Sequence, residues 1–119
     1  MCSLDNNYKT VVESIRMLST PYNEQKALLP DFVYVPYDVL SGYEAAFGLL
    51  PQLIEDHRFS FEAIAAQLRL YNQVYRKIIG WDEDIEDFDS VGWNKIREMA
   101  KRTLMDMGEA VIPPDPNWV

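Results

Sequence analysis

Apolar side chains return every three or four residues along almost all of this chain, the period of helices that pack by one face. From Leu4 the series Tyr8, Val11, Val12, Ile15 and Leu18 predicts a first helix over about 5–19, with Ser3 or Asp5 placed to accept first-turn N–H groups. Thr20 is a fair N-cap and Pro21 suits a first helical position, so a short helix is expected over 21–28, stopped by Pro30. Val39, Leu40, Tyr43, Ala46, Phe47 and Leu50 carry the period onward. Gly42 and Gly48, unfavourable inside a helix, predict close approach of a neighbouring helix there. Pro51 cannot donate to the turn before it, which predicts two collinear pieces, 37–50 and 51–57, kinked or split between them. Ser60 should cap the clearest helix, with Phe61, Ile64, Ala65, Leu68, Tyr71, Tyr75 and Ile78 as its inner face and Gly80 as its stop. Ser90 opens the last helix, with Trp93, Ile96, Ala100, Leu104 and Met107 on one side and Gly108 beyond its end.

The run Asp31-Phe32-Val33-Tyr34-Val35 is β-prone, but no second strand of similar quality exists to pair with it. It is expected as an extended linker laid over the core. Three prolines after Ile112 forbid helix in the tail and leave Trp118 either docked or detached. The fold class is therefore all-α, a single-domain bundle of five or six helices over residues 1–119. It has one extended linker and a Pro-rich tail at 109–119.

At 119 residues and 48% hydrophobic content the chain can bury an adequate core without disulfide or metal. No apolar run approaches the roughly 20 residues of a membrane span, so no membrane partner is expected. The net charge of -8 is the wrong sign for replacing phosphate counterions, which argues against nucleic acid. The sole cysteine, Cys2, cannot form an internal disulfide, and the first residues carry neither a basic patch nor an apolar signal region, so a cytoplasmic location is expected.

The densest feature is Trp81-Asp82-Glu83-Asp84-Ile85-Glu86-Asp87-Phe88-Asp89, with six carboxylates in eight residues. Residues 61–119 hold eleven acids and seven bases, so without those six the balance of this half turns positive: it is polarised. A calcium loop starting at Asp82 fails on residue type, because its sixth position is Asp87 where Gly is needed and its twelfth is Trp93 where a bidentate Glu belongs. Two readings stay open. The acids form a solvated link that caps the next helix, with Trp81, Ile85 and Phe88 pinning it to the core. Alternatively, Trp81 or Phe88 anchors a partner while Asp82, Glu83, Asp84, Glu86, Asp87 and Asp89 steer its approach.

Catalytic constellations are missing from the sequence. His57 is the only histidine and follows Glu55 and Asp56 near a helix end. There is no nucleophile elbow, no glycine-rich phosphate loop and no Cys/His set for zinc, so no enzyme activity, cofactor or metal is expected. Phe32, Tyr34 and Tyr37 form a second aromatic cluster, expected to be packed over the core, with partner binding as the competing use.

At Leu29-Pro30-Asp31-Phe32-Val33 and at Ser90-Val91-Gly92-Trp93-Asn94-Lys95-Ile96-Arg97-Glu98-Met99-Ala100 the chain resembles small helical immunity proteins encoded beside bacterial polymorphic or contact-dependent toxins. The resemblance implies a non-enzymatic inhibitor that binds a cognate toxin domain and blocks its active site or an adjacent surface. Toxin nuclease domains are usually basic, and an acidic partner suits them. The alternative is a helical adaptor or homodimeric assembly protein whose acids chiefly maintain solubility.

Overall fold

The computed structural model describes residues 3–78, Phe88 and residues 91–118, and among them all regular structure is helical. Six helices follow in order: α1 (Ser3–Ser19), α2 (Tyr22–Leu28), α3 (Val35–Phe47), α4 (Leu50–Glu55), α5 (Phe61–Ile78) and α6 (Val91–Asp106). The radius of gyration, 13.8 Å, is close to the roughly 13.5 Å expected of a compact chain of this length.

α1 is the central element, packed against α6 on one side and α3 on another, with α4 also touching it. Val11, Val12, Ile15, Met17 and Leu18 are buried, and so are the polar Glu13, Ser14 and Ser19 between them. α3 contributes Val35, Val39, Leu40, Tyr43 and Ala46, and α6 contributes Trp93, Ile96, Ala100 and Leu104, the faces their sequence periods predict. Pro51 splits rather than kinks: α3 ends at Phe47, Gly48 and Leu49 turn, and Pro51 sits in the first turn of α4, where a missing N–H costs nothing.

Ser60 caps α5 as expected, its Oγ accepting the Ala63 N–H at 3.1 Å. The face that α5 buries differs from the expected one. Ala63, Ala66, Gln67, Leu70 and Val74 face inward, whereas Phe61, Leu68 and Tyr75 are exposed and Ile64, Tyr71 and Ile78 half-buried. The helix carries two apolar stripes roughly a third of a turn apart, and the one with small side chains allows the closer approach to α6. The large-residue stripe is held from outside, where the Tyr71 ring stacks on Phe47 of α3 at 3.9 Å.

Three local expectations are corrected. Thr20 does not cap α2; its hydroxyl donates back to the Arg16 carbonyl of α1 at 2.7 Å, and Pro21 occupies the cap position. Residues 31–33 form a turn closed by Val33 N–H to the Pro30 carbonyl at 3.2 Å, not an extended linker, and α3 already begins at Val35. Gly42 makes no close helix contact: a Cβ built there meets nothing within 4 Å.

The tail docks along α1. Arg16 binds Glu13 at 3.1 Å, Glu109 at 3.4 Å and the Ala110 carbonyl at 3.2 Å. Glu13 accepts the Asp115 N–H at 3.0 Å, Lys9 holds the Asp115 carboxylate at 3.2 Å, and Trp118 packs against the core. Tyr8 donates its hydroxyl to Glu109 at 2.7 Å, and burial together with that acceptor pushes its pKa up to about 12. The Asn117 N–H and then Lys9 hold the Asp115 carboxyl below its ordinary range.

Four consequences are measurable. Leu70→Ala should cost about 2–5 kcal/mol in urea unfolding while Leu68→Ala stays within about 0.5 kcal/mol, because only the first opens a cavity. Gly42→Ala should stabilise by about 0.5–1 kcal/mol, since it removes unfolded-chain freedom and meets open space. The folded state holds the Tyr8 proton more tightly than the unfolded chain, whose phenols titrate near about 10. That contribution is present below pH about 10 and lost as pH rises through about 12, so Tyr8→Phe should flatten the alkaline fall in stability. Asp115 acts with the opposite sign: its contribution is present above the unfolded value near about 3.9 and lost on acidification.

Candidate functional site

Of the residues expected at the acidic site, Trp81, Asp82, Glu83, Asp84, Glu86, Asp87 and Asp89 lie outside the described residues, as do Gly80, Ser90 and most of the calcium loop reading. Phe88 is described, and it points inward. It is 2% exposed, with its ring edge-on to Tyr22 at 5.7 Å and against Trp93 at 4.9 Å. The Arg97 guanidinium lies 4.8 Å over the same ring, held by the Thr20 carbonyl at 3.1 Å and Asn94 Oδ1 at 3.0 Å. Phe88 is thus no surface anchor: desolvation between α2 and α6 makes it a core pin, and the anchoring role expected of it falls away. Its partner Tyr22 stands at the start of α2.

From there α2 leads into the turn at 31–34, and that turn presents a second aromatic cluster. Phe32 is 88% exposed, Tyr37 64% and Tyr34 40%. Val35 and Pro36 are buried where α3 begins, while Tyr37 and Asp38 face out. Asp31 and Asp38 stand exposed at its two ends and have no ion-pair partner among the described residues. Behind the rings a cleft of about 390 Å³ is lined by Leu29, Val33, Val39 and Trp118 of the docked tail, with Asp38 at its edge. Acidic and aromatic character, expected at 81–89, is therefore also displayed by Asp31, Phe32, Tyr34, Tyr37 and Asp38. The sequence signal was the clustering of Phe32, Tyr34 and Tyr37 around Pro36 with Asp31 and Asp38 at either end; it does not say which side of the chain faces water.

The trio Glu55, Asp56 and His57 ends α4. His57 adopts a left-handed conformation, φ 57°, which reverses the chain after the helix. The Asp56 carboxylate is taken by Arg58 at 2.6 Å, and the same guanidinium reaches Asp5 of α1 at 2.7 Å. These two carboxylates push the Arg58 pKa upward. The geometry is that of a helix terminus tied to α1. Among the described residues no group of three or more His, Cys, Asp or Glu side chains is placed to hold a metal ion, and no helix is long and apolar enough to cross a membrane.

No family model, curated protein or solved structure matches the chain. What the surface can do follows from its own chemistry. Three exposed rings beside carboxylates that have no ion-pair partner among the described residues make a patch that loses little by desolvation and attracts cationic groups.

Proposed function

We propose that this protein is a non-enzymatic binding protein that neutralises a basic protein domain, the role implied by its resemblance to toxin immunity proteins. The observation that carries the reading is the exposed Phe32, Tyr34 and Tyr37 cluster flanked by Asp31 and Asp38. Large rings in water are the residues whose burial supplies most of an interface's binding energy. Carboxylates around them raise the encounter rate of a cationic partner and discriminate against acidic ones.

The acidic stretch supports the reading by its charge. Asp82, Glu83, Asp84, Glu86, Asp87 and Asp89 are six of the nineteen acids behind the net charge of -8, with Trp81 as the remaining ring of that segment. Phe88 packs on Tyr22 at the start of α2, whose other end leads to the Asp31–Asp38 turn. A basic domain with a phosphate-binding cleft is the partner such a field selects, because its lysines and arginines are arranged to face anions. Occupation of that cleft by carboxylates and rings excludes the natural polyanion.

Affinity capture from the native cell, followed by expression of the captured domain alone and together with this protein, tests the reading. A basic domain that is toxic alone and harmless in the pair is the expected outcome. Its association should weaken strongly between about 50 mM and about 500 mM salt, chiefly through slower association. Phe32→Ala with Tyr37→Ala should weaken it by about 2–4 kcal/mol, mainly through faster dissociation, without changing the unfolding midpoint. A salt-independent affinity, or a partner as acidic as this chain, would contradict the reading.

A further inference from the structure

The surface formed by α5 and α6 carries the opposite charge to the chain as a whole. Between the last turns of α5 and the outer side of α6 lies a groove of about 710 Å³. Arg76 and Lys77 stand on one wall, Lys95 and Arg102 on the other. Glu98 also lines it, but Lys101 Nζ already holds that carboxylate at 2.9 Å. On a chain of net charge -8, four cations against one paired acid is a local reversal of sign.

These cations differ in what they are free to do. The Lys77 ammonium lies 5.7 Å over the Trp93 ring, so part of its field is directed at the indole. Among the described residues Arg76, Lys95 and Arg102 have no ion-pair partner. Between the charged walls the surface is apolar, built from Val91, Ile96 and Met99, and Val91 is 73% exposed. A cationic rim over an apolar floor selects a ligand that is acidic and apolar at once.

Two simpler ligands fit less well. A long nucleic acid would run past the groove onto a surface whose overall charge repels phosphates. A small inorganic anion would leave Val91 and Met99 uncovered. A groove between two packed helices accepts an amphipathic segment that lays its apolar side chains on the floor and its charges along the walls.

We propose that the α5–α6 groove is a docking site for an acidic amphipathic peptide segment of a second protein. Its carboxylates meet Arg76, Lys95 and Arg102, and its apolar side chains cover Val91 and Met99. The site is distinct in residues and opposite in charge from the aromatic turn, and it does not depend on the inhibitor reading. Methionine on the floor suits a segment whose side chains are not uniquely shaped, because the flexible thioether adapts to its neighbour.

The full-length protein is titrated with a fluorescein-labelled synthetic peptide carrying Glu and Leu at helical spacing, and with an all-Glu peptide of equal charge and a single-stranded oligonucleotide of similar length. The Glu/Leu peptide should saturate at one per chain and bind at least about tenfold more tightly than the all-Glu peptide, since only the former covers the floor. Lys95→Glu with Arg102→Glu should weaken it by about tenfold or more, Met99→Ser several-fold, and Phe32→Ala with Tyr37→Ala not at all. The groove substitutions lie at the surface or half-buried, and unchanged circular dichroism confirms that each variant folds. Absence of binding, equal affinity for the all-Glu peptide, tighter binding of the oligonucleotide, or indifference to the charge reversal overturns the proposal. So does a Glu/Leu peptide that binds only after the six carboxylates of 82–89 are changed to amides, because the groove would then be served by this chain's own acids.

Discussion

The burial of α1 on nearly every side is the constraint from which the rest of the architecture follows. A helix with Val11, Val12, Ile15, Met17 and Leu18 buried needs neighbours all round, and α3, α4 and α6 supply them. Its interior stretch also contains Glu13, and a buried carboxylate is costly unless paired. Arg16 one turn later and the Asp115 N–H of the tail provide the pairing, so the tail is a structural component. Removing Arg16 would do more than delete a surface charge: it would leave Glu13 with one partner and release the Glu109 and Ala110 contacts together.

Most of the helical plan was legible from spacing alone. The periods of α1, α3 and α6 pointed to the faces that are buried, and Ser60 and Gly108 marked a start and an end that the structure places where expected. α5 shows the limit of such reading. Its larger side chains lie on one stripe and its smaller ones on another, and periodicity weighted by size selects Phe61, Leu68 and Tyr75. Which stripe faces inward depends on how near α6 can come, and that is a property of two helices, not of one. Gly42 failed for a related reason: the residue type permits close contact but cannot demand it.

The candidate site divides in the same way. Rings together with acids at 31–38 and 81–89 were visible as composition, but solvent exposure is decided by tertiary contacts. Phe88 found Tyr22, Trp93 and Arg97, residues distant in sequence or on another element, and became interior. Phe32 sits in a turn closed over only a few residues, with its neighbours Pro30 and Val33 occupied by that closure and by the cleft. The path of the chain, rather than any difference in hydrophobicity between two phenylalanines, separates one from the other.

Net charge describes this molecule poorly. Asp31 and Asp38 flank the aromatic turn, whereas Arg76, Lys77, Lys95 and Arg102 line the α5–α6 groove. At physiological ionic strength the screening length is about 8 Å, well short of the molecule's 38 Å long axis. A partner approaching one surface therefore feels mainly the charges nearest it. On the two proposals above, the acidic, ring-bearing face and the basic, apolar-floored groove would serve different partners without competing for the same surface.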